Sequence, residues 1–169
     1  MNLAFIGSES EASQYGSIIN RIDGARWFAF VPLDGSASSA GKDALGATVQ
    51  EESIEALLKN HPDEVDAFVM DAQPGPLRSS VKEAGPAGKP SLAGPLLART
   101  GGDLAAFSVE LEQGLLVPAC PWRFIPAIQS VKASIDAGKL GEIGLIRMHR
   151  WSSKVHDSAI PDRMIPAID

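Results

Sequence analysis

The amino-acid sequence predicts an α/β fold built on a doubly wound parallel sheet. Short apolar runs recur at Leu3–Ile6, Trp27–Val31 and Val65–Met70, and runs without polar alternation suit strands buried on both faces. Segments with apolar residues at helical spacing separate these runs. Gly or Pro marks the changes of element, as at Gly7, Gly24, Pro32 and Pro62, as expected of residues that end helices and strands. Strands alternating with helices imply parallel pairing and right-handed crossovers.

The elements follow in order. Leu3–Ile6 is the first strand, ended by Gly7. Ser8 and Glu9 read as the N-cap and first turn of a helix that continues to about Ile22, with Tyr15, Ile18, Ile19 and Ile22 on one face,. Arg26–Val31 is the second strand, closed by Pro32. The Gly-, Ser- and Ala-rich stretch from Asp34 to Ala47 reads as a loop. A helix follows with Ile54, Leu57 and Leu58 inward and His61-Pro62 as its stop. Val65–Met70 is the third strand, Gln73–Pro76 a turn, Leu77–Ala84 a short helix and Pro90–Ala93 a weak strand. One helix is expected over Gly102–Gln113 with Leu104, Phe107, Val109 and Leu111, then a strand at Leu115–Ala119. The last helix, Pro126–Ala137, turns Ile128, Val131 and Ile135 inward. A final half-exposed strand is expected at Ile143–Trp151,.

Composition narrows the function classes. At 44% hydrophobic and 21% charged, the chain is too apolar for a disordered one. It is also long enough to bury roughly two-thirds of its unfolded surface without disulfide or metal. The net charge of −6 argues against nucleic acid and against an anionic membrane surface. The single Cys120 cannot form an internal disulfide, lacks an evident activating base and reads as a buried small residue,. His61, His149 and His156 have no Cys or His at metal-ligand spacing, so no zinc site is expected,. The N-terminus lacks a basic leader and no run approaches the ~20 apolar residues of a membrane helix. The expectation is a cytoplasmic protein.

The segment Trp122-Arg123-Phe124-Ile125-Pro126, the helix bearing Lys132, and Gly138-Lys139-Leu140-Gly141-Glu142-Ile143-Gly144 carry a family resemblance. They resemble the entry into the second domain of the glucose–fructose oxidoreductase / inositol dehydrogenase (Gfo/Idh/MocA) family. Leu3–Gly7, Asp66–Pro74, Ala87-Gly88-Lys89 and Pro95-Leu96-Leu97-Ala98 resemble further segments of the family in the same order. The resemblance implies a Rossmann-type nucleotide-binding domain over residues 1–120. Residues 121–169 would then be a linker helix and the first strand of a truncated α+β C-terminal domain. It also implies NAD or NADP as cofactor and a sugar, polyol or related hydroxyl compound as substrate.

The motifs are degenerate relative to that family. The dinucleotide fingerprint reads Gly7-Ser8-Glu9-Ser10-Glu11-Ala12. Gly7, Ser8 and Ala12 suit a turn under a pyrophosphate. Glu9 stands where a second Gly belongs, and each carboxylate repels a diphosphate by about 1–4 kcal/mol at surface-like dielectric. The same residues also read as a plain capped helix start. Pro32 replaces the ribose-binding acid, leaving Asp34 as a substitute or as a solvated loop residue. Ala72, Gln73 and Pro74 would border the nicotinamide side or form an ordinary turn, with Asp71 pointing into the crevice. Arg123 joins the candidate cofactor set. The family's catalytic Glu-Lys-Pro reads Ala93-Gly94-Pro95 here, and a Gly cannot move a proton. Lys89 is a weak candidate to replace the amine, or a surface lysine at a turn.

Two readings stay open. One is an NAD(P)-dependent oxidoreductase with weakened catalysis. The other is a non-catalytic module that keeps the fold for binding or assembly. A final apolar strand without sheet partners would expose an edge and suggests homo-oligomerisation.

Overall fold

The computed structural model describes residues 1–33, 35, 38–95, 97, 98 and 100–147. The chain divides into two compact units, Met1–Ala119 and Cys120–Asp169. The first holds six strands: β1 (Asn2–Gly7), β2 (Arg26–Pro32), β3 (Val49–Gln50), β4 (Ala67–Ala72), β5 (Ser91–Pro95) and β6 (Leu116–Pro118). All pairings are parallel, and the sheet order is β3-β2-β1-β4-β5-β6. The chain winds one way from β1 to β3 and the other way from β4 to β6, so the winding reverses between β1 and β4.

Both faces of the sheet are covered around that reversal. Helices α1 (Glu9–Tyr15) and α2 (Ala40–Leu45) lie on one face. There Leu3, Phe5, Ala12, Trp27, Phe30 and Leu45 form a core cluster. Helices α3 (Ile54–Asn60) and α4 (Pro74–Ala84) lie on the other, over Ala4, Ile6, Val31, Leu57, Met70 and Leu77. Alternate residues of β1 thus serve opposite clusters, as a period of two requires, whereas in β2 the consecutive Phe28 and Ala29 both join the α3–α4 side, where the register with β1 shifts. Burying each large side chain contributes about 1.5–3 kcal/mol. Phe5, whose ring meets Tyr15, Trp27 and Phe30 at centroid distances of 5.0–6.3 Å, anchors the α1 side.

Several expectations are corrected. The first helix stops at Tyr15 and is followed by turns and a 3-10 segment at Ile19–Arg21. The supposed loop before Ala47 contains α2, whose Gly41 lies directly against the Phe30 ring, leaving no space for a Cβ. The two-residue β3 has no counterpart among the expected strands. The helix expected over Gly102–Gln113 is two short ones, α5 (Gly101–Ala105) and α6 (Ser108–Glu112). Between them Phe107 is fully buried, whereas Leu104 and Val109 are exposed.

In the second unit, a 3-10 turn at Pro121–Phe124 leads into α7 (Pro126–Asp136). Pro126 occupies the first helical position, where its missing N–H leaves no helix bond unmade. Lys132 Nζ pairs with Asp136 at 2.8 Å, one turn on. Residues 143–147 form no strand. The remainder of the expected final strand, and the oligomer edge inferred from it, lie outside the described residues.

Candidate functional site

The reversal of winding opens a crevice at the carboxyl edge of the sheet, where open α/β folds bind their ligands. Gly7 ends β1 there, in register with Asp71 of β4 and Pro32 of β2. The Leu33 N–H donates to the Gly7 carbonyl at 3.1 Å and carries the β1–β2 ladder to that edge. A Cβ on Gly7 would stand 2.7 Å from the Asp71 carbonyl oxygen, 2.8 Å from Phe5 Cε1 and 3.1 Å from Glu11 Oε2. Only glycine fits this meeting of two backbones and a carboxylate.

Ser8 and Glu11 form a reciprocal capping box. The Glu11 N–H donates to Ser8 Oγ at 3.3 Å, and the Ser8 N–H donates to Glu11 Oε2 at 2.8 Å. This arrangement satisfies two donors that a helix start otherwise leaves open. Glu9 is the first residue of α1, and Ala12 is buried beneath the helix. Asp71 points to the α1 side of the sheet, where its Oδ2 accepts the Tyr15 hydroxyl at 2.9 Å. Ala72 ends β4 and is buried, Gln73 is the N-cap residue of α4, and Pro74 is its first residue.

Beyond the end of β2 lies a cleft of about 320 Å³ whose walls include Pro32, Leu33, Glu52, Ser53, Ser79 and Glu83. Among the described residues it carries two carboxylates and no basic side chain. A larger hollow of about 540 Å³, bordered by Arg26, Trp27 and Asp43, adjoins the start of β2, at the opposite end of the strand from Gly7's neighbour Pro32.

Other expected residues fall elsewhere. Lys89 Nζ donates to the Pro62 and Val65 carbonyls at 2.5 and 2.6 Å. It precedes β5 and therefore lies at the amino edge of a parallel sheet, away from the crevice. These bonds tie the start of β5 to the segment before β4. Gly94 is in register with Asp71 near the crevice, but a Cβ there would come within 2.5 Å of Ala119 Cβ. The position lacks an amine and also lacks space for one. Arg123 belongs to the second unit, where its N–H donates to the Cys120 carbonyl at 3.1 Å. Asp34 lies outside the described residues. The box between Ser8 and Glu11 follows the Ser-x-x-Glu spacing at the helix start,.

A scan against protein-family models and a search of curated sequences found no match. Solved structures do match. One is an oxidoreductase from Agrobacterium radiobacter in complex with NAD+, L-tartaric acid and magnesium, at 21% identity and TM-score 0.68, covering 84% of this chain and 42% of that one. The fold is Rossmann-type. A second match to the Rossmann-type chain is myo-inositol 2-dehydrogenase from Lactobacillus plantarum, at 17% identity and TM-score 0.67, covering 85% and 43%. A third is a mutant 3-ketoreductase from Actinomadura kijaniata in complex with TDP-benzene and NADP, at 22% identity and TM-score 0.65, covering 85% and 46%. These neighbours are of the Gfo/Idh/MocA type that the motif around Arg123 resembles. The chain spans less than half the length of each. Among the described residues, no helix of this Rossmann-type chain is long and apolar enough to cross a membrane.

Gly7 keeps the strand end bare of side chain, and the cleft past Pro32 is roomy and rich in small polar groups. The conflict with a dinucleotide is electrostatic: Glu9 and Glu11 stand in the first turn of α1, where the Glu11 carboxylate already holds the Ser8 N–H, and Glu52 and Glu83 line the cleft.

Proposed function

We propose that the first unit binds NAD or NADP along its carboxyl edge, as the nucleotide-binding part of an oxidoreductase for a sugar, polyol or related hydroxyl compound. Gly7 and Ser8 would face the diphosphate. The cleft of Pro32, Leu33, Ser53 and Ser79 would take the adenosine half, and Ala72, Gln73 and Pro74 would border the nicotinamide. The cofactor supplies the hydride chemistry, and the chain supplies position and electrostatics. The observation that carries this reading is the switch point itself, where Gly7 of β1 stands opposite Asp71 of β4 at the edge where the winding reverses.

Catalysis is weakened in this reading, because Gly94 offers no proton-transferring group. The contact with Ala119 that fills the space around Gly94 favours a second reading, a non-catalytic binding or assembly module. Titration with NADH and NADPH, followed by nicotinamide fluorescence, tests the first reading; absence of binding at millimolar cofactor would remove it. Saturable binding with turnover on a polyol panel would remove the second.

A further inference from the structure

The hollow of about 540 Å³ beside the start of β2 lies at the opposite end of that strand from the crevice and has no part in the dinucleotide reading. Two helix ends shape it. Gly16 caps α1 and Gly46 caps α2, and the Ala44 carbonyl lies directly against Gly16, leaving no space for a Cβ. Ile19, Trp27 and Leu45 border the hollow but are only 4–7% exposed. They therefore offer a ligand little apolar surface, and Ser17 and Thr48 on the same walls are polar.

Two exposed side chains of opposite charge border this hollow, Arg26 from β2 and Asp43 from α2. They do not neutralise each other. Among the described residues, no carboxylate lies within 4 Å of the Arg26 guanidinium and no cationic nitrogen within 4 Å of Asp43. Each is instead steadied by a neutral neighbour: Arg26 Nε donates to Asn2 Oδ1 at 2.7 Å, and Asp43 Oδ2 accepts the Ser39 hydroxyl at 2.9 Å. Both charges thus stay available to a ligand.

We propose that this hollow binds a small free α-amino acid, its carboxylate on the Arg26 guanidinium and its ammonium on Asp43. A guanidinium matches a carboxylate through paired N–H donors. An ammonium brings three donors, for which Asp43 and the carbonyls left open by the last turn of α2 are acceptors. A simple anion would be repelled by Asp43 and a simple cation by Arg26, so only a ligand carrying both charges gains from both. The volume lies within the range of about 300–1,000 Å³ common to small-ligand sites, and the scant apolar lining selects a small side chain.

The test titrates the full chain with free glycine and free L-serine, followed through its amide NMR spectrum. Saturable shifts at millimolar ligand are expected, confined to residues 16–19, 26–27 and 43–48. Acetate and methylammonium, each carrying one of the two charges, should bind more weakly than either amino acid. Arg26→Gln and Asp43→Asn remove a charge but can keep the bonds to Asn2 and Ser39. Each should weaken binding about fivefold, the upper end for exposed ion pairs, with the ligand-free melting temperature and any NADH affinity unchanged. Absence of saturable shifts, shifts outside these segments, or equal binding of acetate or by either variant would overturn the site. None of these outcomes bears on the dinucleotide reading.

Discussion

The Tyr15 hydroxyl donates to Asp71 Oδ2 at 2.9 Å, fastening the end of α1 to the carboxyl end of β4 across β1. The Tyr15 ring also meets Phe5 and Trp27, so Tyr15→Phe keeps the packing and deletes the bond. A hydrogen bond to a carboxylate contributes about 1.5–3 kcal/mol. The substitution should lower the melting temperature by several degrees. A melt within one degree of the parent would show that this bond does not hold α1 in place.

Gly94 and Ala119 should behave as a coupled pair. Gly94→Ala places a methyl 2.5 Å from Ala119 Cβ, an overpacking that costs about 1–3 kcal/mol. Combining it with Ala119→Gly should return most of that loss, because the clash is between these two methyl positions. Urea denaturation of the two single variants and the double variant measures the coupling. Purely additive effects would refute it. By the same argument, Gly94→Lys should destabilise the fold without creating turnover.

Lys89 should matter to the fold and not to ligand. Lys89→Met keeps the aliphatic stem and removes two charge-assisted bonds, to Pro62 and Val65. Each contributes about 1.5–3 kcal/mol at most, and less where water competes. Denaturant unfolding should shift to lower midpoint while NADH affinity is unchanged. Loss of affinity at constant stability would put Lys89 in the site after all.

The cleft past Pro32 should favour NADH over NADPH. Glu52 and Glu83 border it, and among the described residues its lining holds no basic side chain; a 2′-phosphate adds charge of the same sign. Competitive titration should rank NADH at least severalfold tighter, and Glu52→Gln should narrow the gap. Preference for NADPH would contradict the placement of the adenosine half in this cleft.

The legibility of each element in the sequence follows from what that element depends on. Strands β1, β2 and β4 are legible because burial on both faces leaves near-continuous apolar runs, such as Leu3–Ile6,. Helix α2 was hidden because its packing demands the residues that usually mark loops: Gly41 must lie flat on Phe30. Strand β3 is two residues long, below the length at which any period shows. The break between α5 and α6 is a tertiary effect, since Leu104, Phe107, Val109 and Leu111 suit one helix by spacing but only Phe107 is fully buried.

At the site, Gly7 was legible as the glycine ending a buried strand. Lys89 was not, because its partners lie 24 and 27 residues away and local sequence cannot reveal them. Gly94 was recognised as a missing amine, but the lack of room around it depends on Ala119, a residue on the far side of two helices in sequence.

The buried Phe107 ring divides its surroundings into a fixed point and a loose flank. Helix α5 buries none of its residues, and its start is held by the Thr100–Asp103 cap and by the exposed Arg78–Asp103 pair at 3.6 Å. Short exposed helices open at little expense in free energy. Amide protons of Leu104 and Ala105 should therefore trade with deuterium long before those of β4. Local breathing here would leave the sheet and its carboxyl edge undisturbed.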